Sequence, residues 1–219
     1  MISSTEENYL KAIYKISEKD KNAAGTNAIS ERMKTTAASV TDMLKRLSDK
    51  QLINYEKYRG VTLTSEGAKV ATNLIRNHRL WEVFLVDKLE FNWDEVHELA
   101  EQLEHIHSDK FINRLEKYLG NPKFDPHGDP IPNAEGKYTI RNQMPLSTLD
   151  AGEKVIVVGV KTHEREFLQY LDELGIALGT NIEIKEKKKY DLSMKVYVDN
   201  SKSVVLSDQV AKNLFVKTN

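Results

Sequence analysis

The sequence predicts a mainly α-helical protein with a small β domain at its C-terminal end, headed by a winged helix-turn-helix. Three observations carry this reading. Apolar residues recur at helical spacing from Tyr9 to Leu119, broken by two short strands that directly follow a pair of short helices. One helical stretch, Asp94 to Ser108, is rich in His and Glu. From Pro145 onward, alternating apolar runs punctuated by Gly and by Asp199-Asn200 replace the helical period.

Taken in order, residues 5–18 place Tyr9, Leu10, Ile13, Tyr14 and Ile16 on one helical face, with Ser4 or Thr5 as N-cap. Glu7, Asn8 and Lys11 fall on the opposite, solvated face. A short helix from Asn27, its cap, to Lys34 is followed by a second from Ala37 to Lys50 with Val40, Met43, Leu44 and Leu47 inward. The second helix exposes Thr36, Ser39, Thr41, Asp42, Lys45 and Arg46, small polar and basic side chains suited to phosphates and base edges in a major groove. Leu52–Glu56 and Val61–Thr64 then form a hairpin whose tip carries Lys57, Tyr58 and Arg59. A recognition helix followed by a basic hairpin is the winged-helix arrangement, so double-stranded DNA is the expected partner.

Ser65 caps a helix of more than 20 residues that carries His78 and Glu82 on one face. In the stretch DEVHELAEQLEHIHS, His97, Glu101, Glu104 and His105 share a second stripe at about 3.6 residues per turn, beside an apolar stripe of Val96, Leu99, Ala100, Leu103 and Ile106. Two imidazoles and two carboxylates pointing one way suit a metal ion. A solvated acidic face is the plainer alternative. The next helix, Phe111 to Leu119, ends at Gly120-Asn-Pro122, and the spread of apolar surface over several helices suits a homodimer. Phe124 to Pro132 is a Pro- and Gly-rich connector holding Asp125, His127 and Asp129, and residues 133–144 form a polar linker. Strands are expected at Lys154–Val160, Asn181–Lys187, Ser193–Val198 and Ser203–Leu206, with a helix from Glu164 to Glu173. At most five strands would close a small barrel.

Composition narrows the function. With 219 residues, 40% of them hydrophobic, the chain can bury its own core, and with no cysteine any metal must be held by nitrogen and oxygen. No N-terminal basic-then-apolar leader and no long apolar run is present, so a cytoplasmic protein that does not span a membrane is expected. The net charge of −1 divides unevenly: Lys plus Arg number 12 against 9 acids in residues 1–75, 8 against 13 in 76–140, and 12 against 11 in 141–219. Anions should meet the first part and cations the middle. HELAE is not His-Glu-x-x-His and no nucleophile lies beside a base, so an enzyme, such as a carboxylate-bridged di-metal protein, is disfavoured. A metal-independent or small-molecule-responsive DNA-binding regulator remains the other alternative.

With helix-turn-helix, wing, HRLWE, VHELAEQLEH and PHGDPIP in that order, the chain resembles the diphtheria-toxin-repressor family, which includes the manganese-transport regulators. The resemblance covers the whole chain. It implies a winged-helix domain over 1–72, a helical dimerisation and metal-binding domain over 73–140, and an SH3-like (FeoA-like) domain over 145–219. It also implies a repressor in which a divalent metal activates a homodimer for binding to the operators of metal-uptake genes. Carried over by position, an ancillary site would use His78, Glu82 and His97, with Asp125, His163 and Glu166 as further candidates. A primary site would use Glu101, Glu104 and His105 with Asn8, metal bridging Asn8 to the rest. Asn8 departs from the family's usual Met or Asp, and Lys11 stands where some manganese regulators have a carboxylate. Donors of Glu, Glu, His and an amide oxygen favour Mn²⁺, with Fe²⁺ as the alternative and Zn²⁺ or Co²⁺ binding in vitro.

Overall fold

The computed structural model describes residues 2–20, 22–56 and 60–218. The wing-tip residues Lys57, Tyr58 and Arg59 lie outside the described residues. The chain packs as two compact units: Met1–His78 with Leu103–Asp109 and Pro132–Tyr138, and Arg79–Gln102 with Lys110–Ile131 and Thr139–Asn219.

In the first unit, α1 (Ser4–Asp20) starts one residue earlier than expected. Its cap is Ser3, not Ser4 or Thr5: the Ser3 hydroxyl accepts from Glu6 N (3.3 Å) while Glu6 Oε2 accepts from Ser3 N (2.8 Å), a reciprocal capping box. Helices α2 (Thr26–Arg32) and α3 (Ala37–Asp49) make the helix-turn-helix. Gly25, without a side-chain bond, precedes α2 in place of the expected Asn27 cap, whereas Thr36 caps α3 by accepting from Ser39 N at 3.2 Å. Strands β1 (Ile53–Glu56) and β2 (Gly60–Leu63) pair antiparallel, Ile53 opposite Leu63. Leu10, Ile13, Ile29, Val40, Leu44, Leu47 and Val61 are wholly buried and hold helices and hairpin together, each worth about 2 kcal/mol of apolar burial.

Helix α4 (Ser65–Leu89) follows at once. Thr64 rather than Ser65 caps it, its hydroxyl accepting from Gly67 N at 3.1 Å. A Cβ on Gly67 would meet the Leu52 carbonyl oxygen at 1.9 Å, so only glycine lets this first turn lie against the strand entry.

In the second unit the rest of α4 is joined by α5 (Val96–Leu103) and α6 (Asp109–Tyr118). The helix expected over residues 94–108 therefore stops at Leu103, and Glu104 to Ser108 are non-helical. The C-terminal part is a six-stranded antiparallel sheet in the order β3-β8-β4-β5-β6-β7. Strands β4 (Lys154–Val160) and β5 (Asn181–Lys187) have the expected bounds; β6 (Met194–Val198) and β7 (Lys202–Leu206) differ by a residue. The two extra strands are β3 (Met144–Pro145) and β8 (Leu214–Thr218), so the linker expected over 133–144 ends in a strand. Helix α7 (Arg165–Leu174) lies between β4 and β5, and the one-and-a-half-turn α8 (Asp208–Asn213) precedes β8. Val155, Val157, Leu168, Leu171, Ile182, Ile184, Val196 and Leu214 fill the core between this sheet and α7.

Candidate metal centre

Each unit contains a cluster of buried charged and ligand-type side chains. In the second unit the cluster grows out of the connector Phe124–Pro130. The Asp125 carboxylate folds this loop on itself: Oδ1 accepts from the backbone N–H of His127 (2.9 Å) and of Asp129 (3.0 Å), an Asx-type turn. Oδ1 is thereby committed, and Oδ2 is left buried without a hydrogen bond. Gly128, at φ +90°, presses on β4, where a Cβ would come within 2.2 Å of the Val158 carbonyl oxygen. Val160 N also donates to the His127 carbonyl at 2.9 Å. The β4–β8 register shifts between Val157 and Gly159, at this same contact.

The His127 ring is 1% exposed and its orientation is set at both nitrogens. Nε2 lies 2.8 Å from the Trp93 carbonyl oxygen, which can only accept, so Nε2 carries the hydrogen and donates. Nδ1 then presents its lone pair in the neutral form; it is buried, has no hydrogen-bond partner, and faces Glu82 Oε2 at 3.7 Å. Glu82, Asp125 and His127 each offer a ligand atom within 4.8 Å of the others, and all three side chains are buried. A histidine held through one nitrogen by a carbonyl, with the other aimed between two carboxylates, is the usual arrangement of a metal-ligating imidazole.

Electrostatics describe the same strain. Burial, Glu82 and Asp129 push the Asp125 carboxyl up to about 7, against the opposing charges of Arg79 and His127. Burial alone would lower His127, yet Glu82, Asp125 and the Trp93 carbonyl raise it to about 9. His163, stacked on His127 with centroids 4.3 Å apart, is depressed to about 4 by burial and by the His127 charge. Arg79 lies beside the acidic cluster: its guanidinium is 3.4 Å from Asp125 Oδ2 and 2.9 Å from Asp129 Oδ2 and donates to the Pro130 carbonyl.

The remaining expected ligands fall unevenly. His97 Nδ1 is 3.5 Å from Glu82 Oε1 and its Nε2 is 3.8 Å from Glu101 Oε1, so both border the cluster on α5. His163 reaches Asp129 Oδ2 at 3.9 Å but is not among the grouped donors. Glu166 is exposed in the first turn of α7 and joins no ligand group among the described residues. His127 was visible in the sequence only as one member of an Asp-x-His-x-Asp loop, and the tautomer-setting Trp93 carbonyl had no sequence signal.

In the first unit the cluster has another character. Glu7 and Lys11 were expected on a solvated face; they are 5% and 7% exposed, because they face the 103–109 segment. Lys11 Nζ donates to both oxygens of Glu104 at 2.7 Å, and His78 Nδ1 lies 2.7 Å from Glu104 Oε2. His105 Nδ1 is 2.6 Å from Glu7 Oε2. Asn77 Nδ2 donates to the Glu104 carbonyl at 3.1 Å, which helps explain why α5 ends before it. Thus Glu104 and His105 lie beyond the end of α5 and do not share a helical stripe with His97 and Glu101. Glu101 belongs to the second unit, and Asn8 Oδ1 is buried with no hydrogen-bond partner. Among the other expected ligands, His78 belongs to the first unit and Glu82 and His97 to the second.

Of the DNA-facing candidates, Thr36, Ser39, Asp42, Lys45 and Arg46 are exposed and Thr41 is half-buried. Thr36 is occupied as the cap, Thr41 Oγ1 donates to the Ala37 carbonyl at 2.9 Å, and Lys45 lies 3.4 Å from Asp42, an exposed pair worth little.

Known proteins resemble the chain over all three of its parts. Residues 1–61 match the family described as iron-dependent repressor, N-terminal DNA-binding domain, residues 64–133 its metal-binding and dimerisation domain, and residues 144–218 the FeoA domain. The chain is 34% identical to the iron-dependent repressor IdeR of Mycobacterium tuberculosis (strain H37Rv) over 161 residues, 70% of each protein. The chain belongs to the diphtheria-toxin-repressor family. Across 217 residues, 94% of this chain and 92% of the relative, it is 28% identical to the diphtheria toxin repressor of Corynebacterium efficiens. A solved manganese-dependent transcriptional repressor in complex with manganese superposes with a TM-score of 0.86 at 31% identity, covering 97% of this chain and 99% of that one. The family consists of metal-dependent transcriptional repressors, not enzymes. No helix among the described residues is long and apolar enough to cross a membrane.

Proposed function

We propose that this protein is a manganese-responsive repressor whose regulatory cation is held by Glu82, Asp125 and His127, with Fe²⁺ as the alternative metal. The observation that carries the reading is the His127 ring, fixed by the Trp93 carbonyl with Nδ1 aimed, unpartnered, between two buried carboxylates. Asp125 turns the loop with one oxygen and keeps the other for the ligand. Gly128 seats that loop on β4, and Arg79 stabilises the acidic group from the side. A divalent cation would supply the positive charge that the two carboxylates and the imidazole lone pair lack, and an all N/O donor set favours Mn²⁺ or Fe²⁺ over metals that prefer sulfur. His97, Glu101 and His163 stand close enough to the cluster in the second unit to extend the set.

DNA is read, in this proposal, by Ser39, Lys45 and Arg46 of α3 with the wing tip, residues 1–72 serving as the DNA-binding part, 73–140 as the dimerisation and metal-binding part, and 145–219 as the FeoA-like part. A second copy is the natural partner: Leu89, Phe111 and Tyr118 remain 44–65% exposed, more apolar surface than a helical face leaves bare without purpose. Acting on operator DNA of metal-uptake genes places the protein in the cytoplasm. Linkage bounds the regulatory effect: an effector at 100 times its dissociation constant shifts a conformational equilibrium by up to about 2.7 kcal/mol, roughly a hundredfold in DNA affinity. A mobility-shift titration on the native promoter should require Mn²⁺ and be reversed by chelator, and His127→Ala should abolish the requirement's fulfilment at any practical Mn²⁺ concentration. Equal binding with and without metal sinks the proposal.

A further inference from the structure

The cluster around Glu104 does not fit a metal ion as the cluster around His127 does. Its cation is already covalently part of the chain. Lys11 Nζ sits 2.7 Å from both Glu104 oxygens, with the two side chains 9% and 0% exposed. The third contact to that carboxylate, His78 Nδ1 at 2.7 Å, and the separate His105–Glu7 pair at 2.6 Å leave each carboxylate in the group with a close partner. Every one of these distances is a full hydrogen bond, whereas the donor atoms around His127 stand 3.5–3.7 Å apart. Among the described residues named in this cluster, Asn8 Oδ1 is the atom left over, and a single amide oxygen does not make a cation site.

We propose that Lys11 is an internal counter-ion that replaces a divalent metal at Glu104, so that α1 is tied to the 103–109 segment whether or not metal is present. The consequence is that Glu104 does not anchor a second regulatory cation. A divalent ion could reach the Glu104 carboxylate only by expelling the ammonium from a dry position or by sharing that position with it, and both oppose binding because an unpaired buried charge is strongly unfavourable. Replacing Lys11 by a carboxylate reverses the arithmetic: Glu104, the new acid and the His78 and His105 rings then form a set of oxygen and nitrogen donors with excess negative charge, suited to Mn²⁺. This inference takes the His127 cluster as the other, working site, yet its test separates the two.

The test is the Mn²⁺ stoichiometry of the full-length protein by titration calorimetry, with electron paramagnetic resonance counting free Mn²⁺ in parallel. One ion per subunit is expected on the unaltered protein, unaffected by Glu104→Gln and lost with His127→Ala. Lys11→Glu should bind a second ion, lost again when Glu104→Gln is added, and its melting temperature in chelator should fall and recover with Mn²⁺. Lys11→Met, nearly isosteric and uncharged, keeps the comparison open should the acidic variant unfold: it should melt lower than the unaltered protein regardless of Mn²⁺. No ion on the unaltered protein but one on Lys11→Glu would remove the His127 reading and support this one. Two ions on the unaltered protein, the second lost with Glu104→Gln, would overturn the proposal, as would a folded Lys11→Glu protein that gains none.

Discussion

The two buried clusters use nearly the same side chains to opposite ends. Around Glu104 the carboxylate is met by Lys11 and His78 at 2.7 Å, and Glu7 by His105 at 2.6 Å. Around His127, Glu82 stands 3.7 Å from one ring nitrogen, and both Asp125 Oδ2 and His127 Nδ1 lack hydrogen bonds. The first cluster is closed by its own pairs, whereas the second leaves donor atoms open, as the proposed metal site requires. Residue type therefore does not separate a closed cluster from an open one, whereas distance and the state of the leftover atoms do.

The largest effect should come from opening the second cluster. Asp125→Asn keeps the loop's amide contacts but removes the ligand charge, and should weaken Mn²⁺ binding by more than about 100-fold, the upper range for losing even an outer partner of a metal ligand; calorimetry reads it. In the first cluster, Glu104→Ala strands the Lys11 ammonium and should lower stability by about 3–5 kcal/mol. The Lys11→Met/Glu104→Gln double variant should lose much less than the sum of its singles, a coupling that denaturant titration measures and that independent surface residues would not show. Gly128→Ala, strained at φ +90° and clashing with the Val158 carbonyl, should cost about 2–4 kcal/mol and weaken Mn²⁺ binding with it, because it moves the loop that carries Asp125 and His127. Away from both clusters, Thr36→Ala should cost about 1 kcal/mol in melting with Mn²⁺ binding unchanged.

The smallest expected effect concerns pH. Burial raises the Glu6 carboxyl, but Lys50, 2.7 Å away, and the Ser3 amide outweigh it, leaving Glu6 below its ordinary value. A depressed acid contributes stability above its unfolded value and loses it as pH falls through the folded one. Melting curves between neutral pH and about pH 3 should therefore show a modest acid loss that Glu6→Gln flattens.

Much of this architecture is legible in the sequence where local pattern decides structure. Strands β4 and β5 have the bounds that their β-branched runs indicate, and α3 starts where Thr36 offers a cap. Strands β3 and β8 are not legible: the first is two residues long and ends in Pro, and the second follows a short helix with no turn signal between them. The spacing of His97, Glu101, Glu104 and His105 is helical and predicts one continuous helix. What ends α5 at Leu103 is tertiary, the contacts of Asn77, Lys11 and His78 with Glu104. Lys11 illustrates the general limit. Its position on the polar side of α1 is local, and its burial depends on a partner 93 residues away that no periodicity encodes. Conversely, the basic wing tip Lys57–Arg59 is an expectation of the sequence and lies outside the described residues.

The account turns on which of the two clusters takes the metal. Anomalous scattering at the manganese edge, from crystals of the full chain grown with Mn²⁺, answers this directly. The prediction is a peak within coordination distance of Glu82, Asp125 and His127 and none at Glu104, where Lys11 keeps its place. A peak on the Glu104 carboxylate, with the Lys11 side chain displaced and the His127 cluster without one, would contradict it.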